Sequence, residues 1–495
     1  MLAITEILVF LIAAAFVAQF IRLQHAAKRL PPGRTPVPLL GNLWTLKFTF
    51  HHETFMQLAK TYGNIITVWA GHTPLVVVNG YEAVKDALIY HSEETSGRPL
   101  TPALRAYAKE KGVSLSTGET WKQQRRFLVT ALRHLGIKTR ILDCRIQQEA
   151  QDMVEAFTAT EGRAIHSYPI MVTAVANVIS SMVFGHRFSI NDDSLRKIME
   201  ATGSITQFVG SYRGQLYNIF PQLMKHLPGF YQTLFENIDF LNNYVKQEIR
   251  AHCDTVADEP QDLIDLYLAQ ISKNKSDPDS GFDEANMIQI VIDAFLAGTE
   301  TTACILEWTL LYMVLHPEIQ GMAQQELDAV LDTSHIVQYE DYERLPYTNA
   351  VIHEIQRHSS VLPMGAPRSC LMDTVIQGFP IRKGTTILTN LTSVLYDPEH
   401  WEAPQEFNPS HFLDKKGKFV KNEAFIPFSA GQRMCAAEQM AKKELFIFIS
   451  NLLREFTFHL PAGVQEATLD CTYGISLRPH PYKICAARRK AEPQQ

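Results

Sequence analysis

The stretch from Phe282 to His316 constrains this fold more than any other. It contains no proline, and from Met287 to Leu315 almost every helical face is apolar. A helix that is apolar all round is either buried in a large body or crosses a membrane. Asp293, Glu300 and Glu307 lie inside it, and each would be expensive in hydrocarbon, so a core helix is expected. Its middle, Ala297-Gly298-Thr299-Glu300-Thr301-Thr302, is poor helix sequence, with a glycine and three β-branched threonines. Two readings stand: a tolerated weak turn, or a helix locally opened to a ligand with hydroxyls taking over freed carbonyls.

The chain is long enough for such a core. It has 495 residues, 46% hydrophobic and 20% charged, which excludes disordered and fibrous classes. Forty-six basic against 52 acidic residues give a net charge of −6, so no nucleic-acid partner is expected. Seven scattered cysteines with no C-x-x-C pair suit neither a disulfide scaffold nor a zinc ribbon; a reducing compartment fits.

A second apolar run, Ile7 to Ala18 with Phe20 and Ile21, is just long enough to cross a bilayer. Glu6 precedes it, and Arg22, Lys28 and Arg29 follow it. This charge order predicts an uncleaved anchor over residues 1–22 with the remaining chain in the cytosol; the rival is a cleaved signal peptide. The sequons at Asn274 and Asn390 then serve as topology reporters, since neither is glycosylated in the cytosol. Residues 23–38 form a basic, proline-rich spacer, Leu30-Pro31-Pro32-Gly33-Arg34-Thr35-Pro36-Val37-Pro38, stiffened by its fixed φ angles. Residues 39–490 read as one large domain and 491–495 as a tail. Within that domain, 65–78 predicts a β-hairpin around Gly71-His72-Thr73-Pro74, strand signals return at 372–395, and most of 120–360 has helical period. The fold class is mainly α with a small β region.

Near the C-terminus stands Phe428-Ser-Ala-Gly431-Gln-Arg433-Met-Cys435-Ala-Ala437-Glu438, followed by an amphipathic helix over 436–456. This places Cys435 at a helix N-terminus, where unpaired N–H groups and the dipole favour a thiolate. A lone cysteine is more often an inert buried residue; here the setting is electropositive. Arg433 adds a rigid donor suited to a carboxylate.

Phe428-x-x-Gly431-x-Arg433-x-Cys435-x-Ala437 resembles the haem-thiolate loop of the cytochrome P-450 family. Ala297-Gly298-x-Glu300-Thr301-Thr302 is similar to the family's oxygen-activating helix, Glu354-x-x-Arg357 to its structural pair, and Trp121-x-x-x-Arg125 to its propionate helix. The spacer, Gly97-Arg98-Pro99, Phe407-Asn-Pro409-Ser-His411-Phe412 and the tail Arg478 to Cys485 resemble the microsomal family-2 branch. The departures are Arg34 for a usual proline, Gln432, and Ala437 where glycine is more usual; none removes a ligand or relay group.

The resemblance implies haem b held by the Cys435 thiolate, which pushes electron density onto iron. It assigns the propionates to Arg98, Trp121, Arg125, Arg368 and Arg433, which offer charge-assisted donors and one indole N–H. Thr301, with Glu300 beside it, would relay protons; chemistry alone does not separate Thr301 from Thr302. Glu354, Arg357 and His411 would form a buried structural cluster. Substrate contacts would come from Val113, Ser114, Ile205, Phe208, Asp293, Ala294, Ala297, Val361, Leu362, Ala366 and Ile475, mostly apolar positions that suit a lipophilic substrate.

The implied activity is a monooxygenase on the endoplasmic reticulum membrane, its catalytic body on the cytosolic face. It would use O2 and electrons from NADPH through a flavoprotein reductase, with cytochrome b5 a further partner, to hydroxylate or epoxidise xenobiotics, fatty acids or steroids. Lys122, Arg126, Arg133, Lys421, Lys442 and Lys443 would form the docking face. The alternatives are a haem-thiolate isomerase or dehydratase that needs no O2, and a non-catalytic haem- or lipid-binding membrane protein.

Overall fold

The computed structural model describes residues 2–489 except 47, 49, 137–139, 190–191, 227–228, 230, 255–258, 278–279, 333–334 and 465–466. The expected tail, 491–495, lies outside the described residues. The helices that position the site are α1 (Leu2–Ala27), α2 (Gly118–His134), α3 (Arg140–Thr158), α4 (Tyr168–Val183), α5 (Asp193–Gly210), α6 (Glu284–Leu315), α7 (Pro346–Ser359) and α8 (Glu438–Glu455). Among the strands are β1 (Ile65–Ala70), β2 (Thr73–Val78), β3 (Arg368–Ser369), β4 (Thr374–Ile376), β5 (Phe379–Ile381), β6 (Thr386–Thr389), β7 (Cys471–Tyr473) and β8 (Leu477–Pro479), and Phe456–His459 pairs with Cys485–Arg488 in a separate antiparallel ribbon. The fold is mainly helical with small sheets, as expected.

Helix α6 is the core helix. Asp283 caps it, its side chain accepting from the Asn286 amide at 2.6 Å, and Pro317 follows its end. Gly298 lets α4 approach closely, since a Cβ there would lie 2.7 Å from Ile179. The helix runs unbroken through 297–302, so no open turn is present. What remains of that expectation is one hydroxyl: Thr301 Oγ1 donates to the Ala297 carbonyl at 2.7 Å. Behind α6, helices α3, α4 and α8 close the main core.

The hairpin forms as predicted, with β1 antiparallel to β2 from Ile65↔Val78 to Ala70↔Thr73. Both strands are rich in β-branched residues and buried along most of their length, as strands covered on two faces require. The sheet continues with β6 parallel to β2 and β3 antiparallel to β6, which fixes Arg368 opposite Ile387. The strand signal at 372–395 ends early. Residues Leu391–Leu395 form a short helix, because Asn390 caps it by accepting from the Ser393 amide.

Helix α1 exposes its apolar side chains, with Phe10 72% exposed, and it continues to Ala27, past residue 22. The spacer behind it is stitched to β1. The Thr67 amide donates to Pro32 O and its hydroxyl to Pro31 O, both at 2.8 Å. Of the two sequons, Asn390 is buried and donates to His52 O and Asn79 Oδ1. Folding alone blocks it, which leaves Asn274 as the topology reporter.

Candidate functional site

Two adjoining cavities, about 330 and 800 Å³, lie between α6, the cysteine loop and the β3–β6 region. They share Arg98, Ser114, Asp293, Ala297, Thr301, Leu362, Gly365 and Ala366. The smaller is bounded on one side by Pro427–Ala437 and on the other by α6.

The cysteine loop is shaped by Gly431. Its φ is +73°, and a Cβ there would come within 1.7 Å of Leu88 O, so only glycine fits without moving backbone. Cys435 is fixed by its amide donating to Phe428 O at 3.0 Å. Its side chain is accessible and lines the smaller cavity. Burial, helped by the Glu438 charge, outweighs the Ala437 amide and the Arg125 charge and holds its thiol above the ordinary value. Helix α8 starts three residues later, at Glu438, with Ala437 as its N-cap.

Four guanidinium groups gather at this cavity, and among the described residues none of their hydrogen bonds goes to a carboxylate. Arg98 donates to Ser114 O at 2.9 Å and Pro367 O at 2.7 Å. Arg125 donates to Met434 O at 2.7 Å. Arg368 reaches Ser429 Oγ at 3.2 Å, and its buried Nη1 has no partner among the described residues. Arg433 stacks 3.9 Å from the Trp121 ring centroid and donates to Ser96 O and Ser116 O. Burial and mutual repulsion push Arg98 down to about 10, Arg368 to about 9 and Arg433 to about 8. The buried Trp121 Nε1 also lacks a partner among the described residues. Uncompensated buried cations are costly. This rim, with its orphaned donors, fits a flat apolar group that carries two carboxylates, and Cys435 fits its metal.

On the opposite wall, Ala294, Ala297, Thr301 and Thr302 face the smaller cavity. Glu300 turns away from the Thr301 hydroxyl towards β8, accepting from Ser476 Oγ at 3.3 Å, and lines the larger cavity. Burial pushes its carboxyl up. Asp293 accepts from the Val113 and Ser114 amides, both at 2.8 Å, and from Gln289 at 2.9 Å. It pins the loop opposite and is 4% exposed.

The remaining substrate positions divide. Val113, Val361, Leu362 and Ala366 line the smaller cavity, and Ile205 and Ile475 the larger. Phe208 lines neither of these two; it is buried against Tyr217, 6.1 Å between centroids, because it points to the core side of α5.

Glu354 and Arg357 are both fully buried and paired twice at 2.7 Å. His411 stands 3.2 Å from the same carboxylate, and Arg357 also donates to Leu395 O and Pro404 O. Burial opposes the Glu354 charge, but these partners outweigh it and hold the carboxyl below its usual range. Of the six docking cations, Lys122 pairs with Glu119, Lys442 with Glu438 and Lys443 with Asp143. Arg126, Arg133 and Lys421 are exposed. One functional candidate escaped the sequence reading: Glu444, buried on α8 in the wall of the smaller cavity. Its signal was a carboxylate at the start of an apolar run, Glu444-Leu-Phe-Ile-Phe-Ile449.

A family model described as Cytochrome P450 matches residues 31–486. The chain is 40% identical over 478 residues to Cytochrome P450 2J2 of Homo sapiens, covering 96% of this chain and 94% of that protein. It is 40% identical to Cytochrome P450 2J5 of Mus musculus, with 96% and 94% covered, and 38% identical to Cytochrome P450 2D10 of Rattus norvegicus, with 95% and 94% covered.

Proposed function

The chain belongs to the cytochrome P450 family and is a haem-thiolate monooxygenase; from that premise we propose that it oxygenates small lipophilic substrates with O2 and NADPH-derived electrons. The observation that carries this reading is the set of four arginines, two buried and two half-buried, that have no acid partner among the described residues and surround a cavity that an accessible cysteine also lines. When bound, haem supplies oxygen activation and insertion.

The chain's residues supply the rest. Cys435 holds the metal as thiolate. Arg98, Arg125, Arg368 and the Trp121 N–H bind the two propionates. Arg433, its donors largely taken by Ser96 and Ser116 carbonyls, adds charge and orients Trp121 by stacking. Thr301 is both donor and acceptor, so it passes a proton without changing charge. Glu300 accepts from Ser476 rather than facing the Thr301 hydroxyl, and would hold a second proton in the larger cavity that both residues line. The Glu354–Arg357–His411 cluster secures the segment before the cysteine loop.

Apolar walls around both cavities support a lipophilic substrate bound above Gly365 and Ala366. Helix α1 anchors the chain in the endoplasmic reticulum membrane, with residues 39–490 as the catalytic domain on the cytosolic side, where Arg22, Lys28 and Arg29 lie. Electrons come from NADPH through a membrane flavoprotein reductase, with cytochrome b5 as a second donor. They enter by a docking face that rests on Arg126, Arg133 and Lys421, with Lys122, Lys442 and Lys443 engaged in local pairs.

Reconstitution with reductase, NADPH and a panel of lipophiles tests this reading. Oxygenated product and NADPH consumption are expected together. The reduced carbonyl complex should show a thiolate-type spectrum that is lost in Cys435→Ser and kept in Cys485→Ser. A thiolate spectrum in Cys435→Ser would refute the ligand assignment, and turnover without NADPH or O2 would point to an isomerase.

A further inference from the structure

Glu444 is the buried acid that the reaction leaves unused. It is 1% exposed, and neither carboxylate oxygen makes a hydrogen bond of good geometry among the described residues, although the Thr302 hydroxyl is close enough to act on it. Its surroundings are the apolar side chains of α8 and α6 in the wall of the smaller cavity, Met440, Ala441 and Ile305 among them. The lysines beside it on α8 are committed elsewhere, Lys442 to Glu438 and Lys443 to Asp143. An ionised carboxylate there would carry the full desolvation cost with no cation to offset it.

We propose that Glu444 is a protonated positioning residue whose O–H is directed at Thr302, joining the helix that leaves the cysteine loop to the turn that carries Thr301. Burial pushes its carboxyl up to about 8, and the Thr302 hydroxyl on the facing helix draws it back. Thr302 is 2% exposed and lines the same cavity. A neutral carboxyl has one donor and must place it, and a hydroxyl across the helix interface is a partner that can both accept and donate. Through the backbone, holding Thr302 also fixes the rotation of its neighbour Thr301, whose own hydroxyl grips Ala297 O. The link therefore sets where the relay hydroxyl stands relative to the thiolate side. It rests on the assignment of Thr301 as the relay.

The test uses the haem-loaded full-length protein. Infrared difference spectra of wild type and Glu444→Gln at neutral pH should reveal a protonated-carboxyl band that the variant lacks, and Thr302→Val should shift that band. Glu444→Gln keeps a donor of similar shape, so product per NADPH should stay within about 2-fold of wild type. Glu444→Leu should keep the thiolate spectrum but lose coupling on the order of 10-fold, the scale of a small misplacement of a reacting group. Glu444→Leu combined with Thr302→Val should be no worse than the poorer single variant, because both cut one link. A carboxylate rather than a protonated band in wild type overturns the proposal. So does unchanged coupling in Glu444→Leu. If Glu444→Leu does not fold, the band and its response to Thr302→Val decide alone. The infrared result does not depend on turnover, so failure of the monooxygenase reading is told apart from failure of this one.

Discussion

Helices α1 and α6 are both long and apolar enough to cross a membrane, yet their surroundings are opposite. None of the apolar window of α1 is buried inside the protein, against 61% of that of α6. What separates them is where polar groups fall. Between Glu6 and Arg22, α1 has no ionisable residue. Helix α6 has Asp293, Glu300 and Glu307 seven residues apart, hence on one face. Each finds a partner in the body: the Val113 and Ser114 amides, Ser476, and Arg478 at 2.8 Å. Hydropathy says that a helix must leave water; the period of its polar residues says whether protein or lipid receives it.

The comparison breaks most sharply at Asp293. Asp293→Ala removes the acceptor of two loop amides and of Gln289, leaving buried donors orphaned. We expect a loss of about 3 kcal/mol or more in stability, measured by denaturant unfolding of the haem-loaded protein. A loss below about 1 kcal/mol would mean that the acid face of α6 is incidental. In α1 the corresponding insult is to insert an acid. Leu11→Asp should cost about 3 kcal/mol in membrane insertion and shift partitioning about 100-fold towards the soluble fraction. The unfolding midpoint of the body should not move; if it does, α1 is part of the core after all.

The same contrast explains what the sequence could reveal. Local chemistry was legible: the hairpin from its β-branched runs, α6 from its unbroken apolar faces, and the Cys435 loop from glycine, arginine and cysteine at fixed spacing. Tertiary consequences were not. Phe208 and Ile205 share α5, and only the packing of that helix decides that one lines a cavity while the other meets Tyr217. Lys442 and Lys443 read as free cations until Glu438 and Asp143 are seen beside them. Glu444 looked like one more helical acid, and its meaning lies wholly in what does not surround it.

Thr301 probes α6 without disturbing its burial. Its side chain faces the cavities, and its hydroxyl donates to the Ala297 carbonyl. Thr301→Ala should leave haem content and stability within about 1 kcal/mol of wild type. Product formation should fall roughly 100-fold while NADPH consumption continues, because a positioned proton donor is lost and electron delivery is not. If coupling survives in Thr301→Ala and fails in Thr302→Ala, the relay belongs to the neighbouring hydroxyl.

The smallest effect concerns the last acid of the face. Burial raises the folded-state pKa of Glu307 above its ordinary value of 4.5, although Arg478 opposes the shift. A group whose pKa is raised by folding contributes stability that is fully present below its unfolded value and is lost as pH rises through the folded one. Wild type should therefore lose stability relative to Glu307→Gln as pH climbs from about 4.5 towards neutrality, because the amide never pays for deprotonation. Arg478 is 39% exposed, so water rehydrates it in the variant and the pH-dependent difference should stay within about 1 kcal/mol. Urea midpoints of both proteins at pH 5 and pH 7.5 measure it, with a chain lacking residues 7–21 as control. That control should follow the wild-type pH curve, since residues 7–21 contain no ionisable side chain. A Glu307→Gln protein that instead weakens relative to wild type as pH rises would show that the Arg478 ion pair outweighs burial, and that the charged face of α6 is a source of stability rather than a tolerated cost.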